Sequence, residues 1–191
     1  MSKYKGTFNG ISELGRTIIL KVLGLEGGHS NHPSDSGGNT MWGITSKRAR
    51  AAGWVGAIED IPYDWALDFY AFEEWLSNNY YELKDYPAVA EEVFDFGVNS
   101  GHKRAIITLQ QALNLCNRQG RDYPDIVADG ILGRRTVAAL KALIDRRGER
   151  HVLKVLNIGQ GRFYWDLATK REKDEDFFNG WIANRVELPT Q

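Results

Sequence analysis

The 191 residues carry 24 Lys and Arg against 25 Asp and Glu, a formal net charge of −1. That balance excludes a globally basic nucleic-acid binder and a protein drawn to anionic membranes by charge. An apolar content of 42% with six Trp excludes a disordered chain, and the length suffices for one good core or two small lobes.

The opening MSKYKGTFNG has no signal-peptide pattern, and the apolar run 17–25 is interrupted by Lys21 and too short to span a bilayer. No membrane insertion is expected. Ile11, Leu14, Ile18, Val22 and Leu25 recur at helical spacing and predict an amphipathic helix. Glu26 continues that stripe at the helix end, and Gly27-Gly28 breaks the chain at once. A polar loop follows with Asp35, and Gly37-Gly38 breaks the chain again. Thr40, Trp42 and Ile44 then alternate with Met41, Gly43 and Thr45, which reads as a short strand in a small β-hairpin region.

The stretch thus spaces two carboxylates and a threonine as E-x8-D-x4-T. An apolar stripe desolvates Glu26, and a helix C-terminus disfavours negative charge; both raise a carboxyl pKa, as a general acid near neutral pH requires. Asp35, in a polar glycine-rich loop, is expected to stay ionised. Carboxylates with opposed environments suit cleavage of a glycosidic bond. The same residues also fit a solvated helix end followed by an ordinary Asp- and Gly-rich loop, and spacing alone leaves both readings open.

Further along, Thr45 or Ser46 can cap a short helix to about Ala52. Asp60 and Pro62 open the next helix, predicted to reach about Tyr81, with Trp65, Phe69, Phe72, Trp75 and Leu76 on one side. The stripe reads first as core. Tyr80 or Tyr81 could instead line a cleft, where an aromatic face stacks on a sugar ring. Pro87 starts a helix that Gly101 ends, burying Val89, Val93, Phe96 and Gly97. On it Asp95 and Asn99 stand four apart, either closing a buried hydrogen-bond network or facing substrate. Lys103 to Cys116 is amphipathic, with Ala105, Ile106, Leu109, Leu113 and Cys116 inward. As the single cysteine, Cys116 allows no internal disulfide, which suits folding in a reducing compartment. A polar loop 117–125 leads to the turn Asp129-Gly130 and a helix to about Ile144; Asp145 to Gly148 reads as a turn. Two helices follow, about 151–169 and 175–183, and Glu187 to Gln191 are expected to fray.

The string E-G-G…D-S-G-G-N-T-M-W-G-I-T resembles the signature of phage endolysins of glycoside hydrolase family 108, and F-D-F-G-V-N-S-G resembles the same family. The order E…D…T is also similar to the triad of small phage lysozymes. The pair L-Q-Q-A-L-N and D-G-I-L-G-R-R-T resembles small peptidoglycan-binding modules. The resemblance implies an α+β, mostly helical, lysozyme-like two-lobed fold with a small β-hairpin region. It implies residues 1–102 as the catalytic region and 103–191 as a helical peptidoglycan-binding-like region packed on it as one unit. It implies a lysozyme (N-acetylmuramidase) in which Glu26 is the acid, Asp35 positions the attacking water and Thr40 assists. Trp42, Tyr81 and Asn99 are the candidate substrate-binding residues.

No cofactor and no metal is implied; the partner is bacterial peptidoglycan, and a monomer is assumed. The protein is expected to stay in the host bacterial cytoplasm until a holin-type route releases it to the wall. Three rival readings fit parts of the sequence. His29, His32 and Asp35 form H-x2-H-x2-D, which a zinc-dependent wall amidase could use. A wall-binding protein on a degenerate lysozyme fold would have no need of Glu26. A lytic transglycosylase would share Glu26 but dispense with delivered water.

Overall fold

Residues 4–26 and 39–186 are described by the structure, a computed structural model. Asp35, the zinc candidates His29 and His32, and the tail 187–191 lie outside the described residues. By its contacts the chain divides into two compact units, Met1–Ser77 and Asn78–Gln191. The class is α+β and mostly helical, with one small antiparallel sheet among the described residues.

In the first unit, α1 (Thr7–Gly10) is a single turn whose entry is held by Asp68. That carboxylate accepts from the Gly6 and Phe8 amides at 2.8 and 2.9 Å, replacing the partners a helix start lacks. Helix α2 (Glu13–Glu26) is capped by Ser12, whose Oγ accepts from Gly15 N at 3.2 Å. It buries Ile18, Ile19, Val22 and Leu23, while Leu14 is only half-buried. The stretch expected as one strand is a hairpin, β1 (Thr40–Met41) and β2 (Ile44–Thr45), pairing Thr40 with Thr45 and Met41 with Ile44. Trp42 and Gly43 form its turn at φ 55° and 71°. Positive φ at both central residues matches the right-handed twist of the strands, and the alternation had hidden the break. Thr45 then caps α3 (Ser46–Ala51), its hydroxyl accepting from Arg48 N at 3.2 Å.

The aromatic helix departs further from expectation. It begins as α4 (Tyr63–Phe69) and continues as a wider π turn, Tyr70–Leu76, rather than reaching Tyr81. Ser77 N closes it on Phe72 O at 3.0 Å, five residues back, and Ser77 Oγ donates to the same carbonyl at 2.8 Å. Widening the turn rotates the later residues about the axis. Phe72, expected inside, is 38% exposed, whereas Glu74 is fully buried beside Trp75.

In the second unit a short 3-10 turn, Tyr80–Leu83, precedes α5 (Pro87–Ser100), α6 (His102–Cys116), α7 (Arg134–Arg147), α8 (Glu149–Lys170) and α9 (Glu175–Arg185). Helix α7 therefore runs through the turn expected at 145–148, and Gly148 at φ 81° ends it. Cys116, expected inward, is only half-buried; burial still raises its thiol pKa, and its Sγ lies 3.8 Å from His151 Nε2.

Gln110 is buried on α6 and organises the loop before α7. Its Nε2 faces Asp129 Oδ1, Ile131 O and Thr136 Oγ1 at 2.9–3.2 Å, and its Oε1 accepts from Gly130 N at 2.9 Å. One turn on, the Asn114 amide pairs with both backbone groups of Ile126, donating at 2.7 Å and accepting at 2.9 Å. The polar residues of the amphipathic helix thus satisfy a loop that has no ladder of its own.

Two predictions follow from this packing. A Cβ added to Gly97 would lie 2.3 Å from His102 Nδ1 and 2.6 Å from Tyr80 Oη. Glycine to alanine inside a helix normally gains about 1 kcal/mol. Overpacking costs about 1–3 kcal/mol, so Gly97→Ala should be net destabilising in urea unfolding. Burial holds the Tyr80 and Tyr164 hydroxyls above their ordinary value, and that of Tyr123, which donates to Leu113 O at 2.7 Å, at about 12. Above pH 10 the unfolded chain would release these protons first, so stability should fall as pH rises from about 10 to about 12. Tyrosine absorbance and circular dichroism should change together over that window.

Candidate active site

The candidate acid terminates a helix: Glu26 is the last residue of α2, and no basic residue stands in that final turn. The expectation that its carboxyl is desolvated concerns atoms that are not described, as does everything expected of Asp35. What is described is how α2 is held. Gly15 faces the indole of buried Trp75, and a Cβ there would lie 3.0 Å from indole Nε1 and Cε2. The missing side chain lets the helix sit directly on the π turn.

Thr40 opens the hairpin and is buried. Its neighbour Asn39 anchors the start of that hairpin at both ends. Asn39 O accepts from Ser46 N at 3.1 Å and from Ser46 Oγ at 3.0 Å, and Asn39 Nδ2 donates to Glu59 Oε1 at 2.9 Å. Trp42 occupies the left-handed region, which costs a residue with a Cβ about 1–2 kcal/mol. Three contacts offset this: Trp42 Nε1 donates to Ile61 O at 2.9 Å, Trp42 O accepts from Tyr70 Oη at 3.0 Å, and the Tyr63 ring meets the indole edge-on at 5.1 Å. The indole keeps part of its surface exposed, as a sugar-stacking face requires.

Sequence reasoning missed Glu74. It is fully buried on the π turn and ion-paired with Arg48, whose guanidinium also lies 5.2 Å from the Phe69 ring centroid. Burial lowers the pKa of Arg48. In the sequence Glu74 is one of two adjacent glutamates between Phe72 and Trp75, and an ordinary helical phase would not single it out. This pair is a structural joint between α3 and the π turn, since its charges satisfy each other.

The other two candidates belong to the second unit. Tyr81 is 44% exposed, and its hydroxyl donates to Asn79 Oδ1 at 3.0 Å, leaving the ring available as a face. Tyr80, the alternative, is fully buried and donates to Val93 O at 3.1 Å, so it is a core residue. Asn99 is exposed, and its Nδ2 donates to the backbone carbonyl of Asp95 at 2.8 Å. The Asp95 carboxylate instead pairs with Arg185 of α9. The buried Asp95–Asn99 network considered from the sequence is therefore replaced by a tie between α5 and α9. Among the described residues no group of three His, Cys, Asp or Glu is placed to hold a metal, and no helix is long and apolar enough to cross a membrane.

Comparison with known proteins bears on what these pieces do. Residues 19–101 match the family model described as Glycosyl hydrolase 108. Over that range the chain is similar to glycosyl hydrolase family 108. Its matched range takes in Glu26, Asp35, Thr40, Trp42, Tyr81 and Asn99. Residues 104–186 match a second model, described as a Predicted Peptidoglycan domain. Both matches support glycoside hydrolysis acting on peptidoglycan. The two matched ranges meet between α5 and α6, inside the second compact unit. No curated protein matches the chain. Among solved structures the chain is similar to SagA of Brucella abortus, at 24% identity and a TM-score of 0.65 over 88% of this chain and 87% of that one. At that identity the likeness supports the lysozyme-like α+β fold alone.

The region matched to family 108 yields a test of its hairpin. Tyr70→Phe removes the hydroxyl that holds Trp42 O and should cost about 1 kcal/mol. If Trp42 is a sugar-contacting face, the same change should raise KM for wall fragments more than it lowers kcat. Steady-state kinetics beside urea unfolding separates the two effects.

Proposed function

We propose that this protein is a muramidase that hydrolyses the β-1,4 bond between N-acetylmuramic acid and N-acetylglucosamine, serving as a phage-type endolysin. The observation that carries the reading is the pairing in one chain of a Glycosyl hydrolase 108 match with a Predicted Peptidoglycan domain match. Glu26 protonates the departing glycosidic oxygen. Its position at the C-terminus of a 14-residue helix supports this role, because the terminal carbonyls disfavour a carboxylate and so favour the protonated acid. Asp35 orients water and stabilises positive charge developing at the anomeric carbon, and Thr40 helps hold that water. Attack from the face opposite the leaving group inverts the anomeric centre. The protein acts as a monomer and leaves the cytoplasm by a holin-type route.

The test is mass spectrometry of fragments released from purified peptidoglycan. Wild type should release reducing muramic acid ends. Glu26→Gln should lower that release by about 10²–10⁴-fold, the usual contribution of a general acid, with an unchanged circular dichroism spectrum. Asp35→Asn should slow release without weakening sacculus binding. Anhydro-muramic ends would replace hydrolysis by transglycosylation, in which the substrate's own hydroxyl attacks. Free peptides from intact glycan would overturn the glycosidase reading in favour of an amidase.

A further inference from the structure

Helices α6 and α8 leave a groove of about 770 Å³ between them, formed wholly by residues of the second unit. The two helices run antiparallel along it. Arg104 near the start of α6 lies over the ring of Phe163 late in α8, with Cζ 4.5 Å from the centroid. One turn further along α6, Thr108 faces Gly159, where a Cβ would lie 2.6 Å from Thr108 Cγ2. That close approach forms the floor.

The two ends of the groove differ in chemistry. At one end stand Lys103, Arg104 and Arg162, with Asp166 the one carboxylate among the described lining residues. Arg162 Nε is 3.9 Å from Asp166 Oδ2, and both side chains are largely exposed, so this pair is weak and leaves the guanidinium able to bind elsewhere. Arg104 donates one N–H to Ser100 O and has four others. The start of the 15-residue α6 adds the positive end of its dipole. Beyond Arg162 the walls become apolar and open: Ile158, one turn before Arg162 on α8, is 71% exposed, and Leu115 near the far end of α6 is 83% exposed.

The geometry points to this groove as the seat of the peptide stem of peptidoglycan, its carboxylates on Arg104 and Arg162 and its alanyl methyls against Leu115 and Ile158. The inference rests on peptidoglycan being the substrate, and it assigns recognition to the stem rather than to the glycan. A short peptide bearing free carboxylates and methyl side chains supplies both ends of the groove, whereas a neutral N-acetyl glycan supplies nothing for the cations. Bidentate guanidinium–carboxylate pairing accounts for arginine there.

The test is calorimetry on the full chain carrying Glu26→Gln, so that nothing turns over. The probes are a synthetic muramyl tripeptide with free carboxylates and, as a peptide-free control, chitotetraose. Adding Arg104→Gln with Arg162→Gln should weaken muramyl tripeptide binding about tenfold, as loss of two partly exposed charge-assisted contacts implies. Asp166→Asn should tighten it, and chitotetraose binding should respond to neither change. Arg162→Gln and Asp166→Asn should leave the melting temperature unchanged, and an unchanged circular dichroism spectrum shows that Arg104→Gln, which loses its contact with the Phe163 ring, still folds. Absence of muramyl tripeptide binding, or binding that ignores all three substitutions, would overturn the assignment. Fragment analysis of wild-type digests reads the bond cleaved separately, so failure of the muramidase reading leaves this result interpretable, and the reverse holds.

Discussion

A helix that is to hold the proposed acid at its tip needs a fixed axis, because a small tilt at one end displaces the other. In α2 that constraint is met by one absent side chain. Gly15 lets the indole of Trp75 approach to a distance no Cβ would tolerate comfortably. Eleven residues further, at 1.5 Å each, the chain reaches Glu26, about 16 Å along the axis. Burial of Ile18, Ile19, Val22 and Leu23 between those points keeps the rod seated on its unit. Trp75 in turn depends on the π turn, whose extra width sets the directions of both Trp75 and Glu74. The Glu74–Arg48 pair carries the same registration to α3, which follows the hairpin containing Thr40.

The hairpin shows the same economy at smaller scale. Trp42 accepts an unfavourable backbone region, and its indole N–H, carbonyl and ring edge are each engaged by a neighbour in the same unit. Strain over-determined in this way is what functional loops display. The second unit relies on amides rather than rings. Gln110 and Asn114 lie one turn apart on α6 and satisfy a stretch of backbone that forms neither helix nor sheet. A Cβ at Gly130 would lie 2.6 Å from Lys103 Cγ, so the loop packs against α6 as closely as a glycine permits.

Two family matches divide the chain. Residues 19–101 carry the family 108 signature, and residues 104–186 carry the peptidoglycan match, yet α5 and α6 on either side of that seam pack in one unit. Gly101 at φ 96° makes the corner between them. The stretch that matches the peptidoglycan domain therefore shares a packed unit with the end of the stretch that matches the hydrolase family.

Much of this was legible in the residues alone. Local chemistry marked the end of α2 at a carboxylate before paired glycines, the Thr45 cap, the Pro87 start of α5 and the buried face of α6, because caps and helical stripes depend on neighbours three or four residues away. The string around Glu26, Asp35 and Thr40 also resembled the family whose model matches residues 19–101. Other features were decided only by tertiary packing. The π turn that buries Glu74 and exposes Phe72 changes the helical period, which no pattern of apolar residues records. The break at Trp42-Gly43 needed partners at Ile61, Tyr63 and Tyr70 to hold a residue where its own backbone preference would not put it. The Asp95 carboxylate pairs with Arg185, ninety residues away, while Asn99, four residues away, bonds the Asp95 backbone carbonyl, and only folding brings Arg185 within reach. The groove between α6 and α8 is likewise invisible in sequence, since its two walls lie some fifty residues apart and meet only when the helices pack antiparallel.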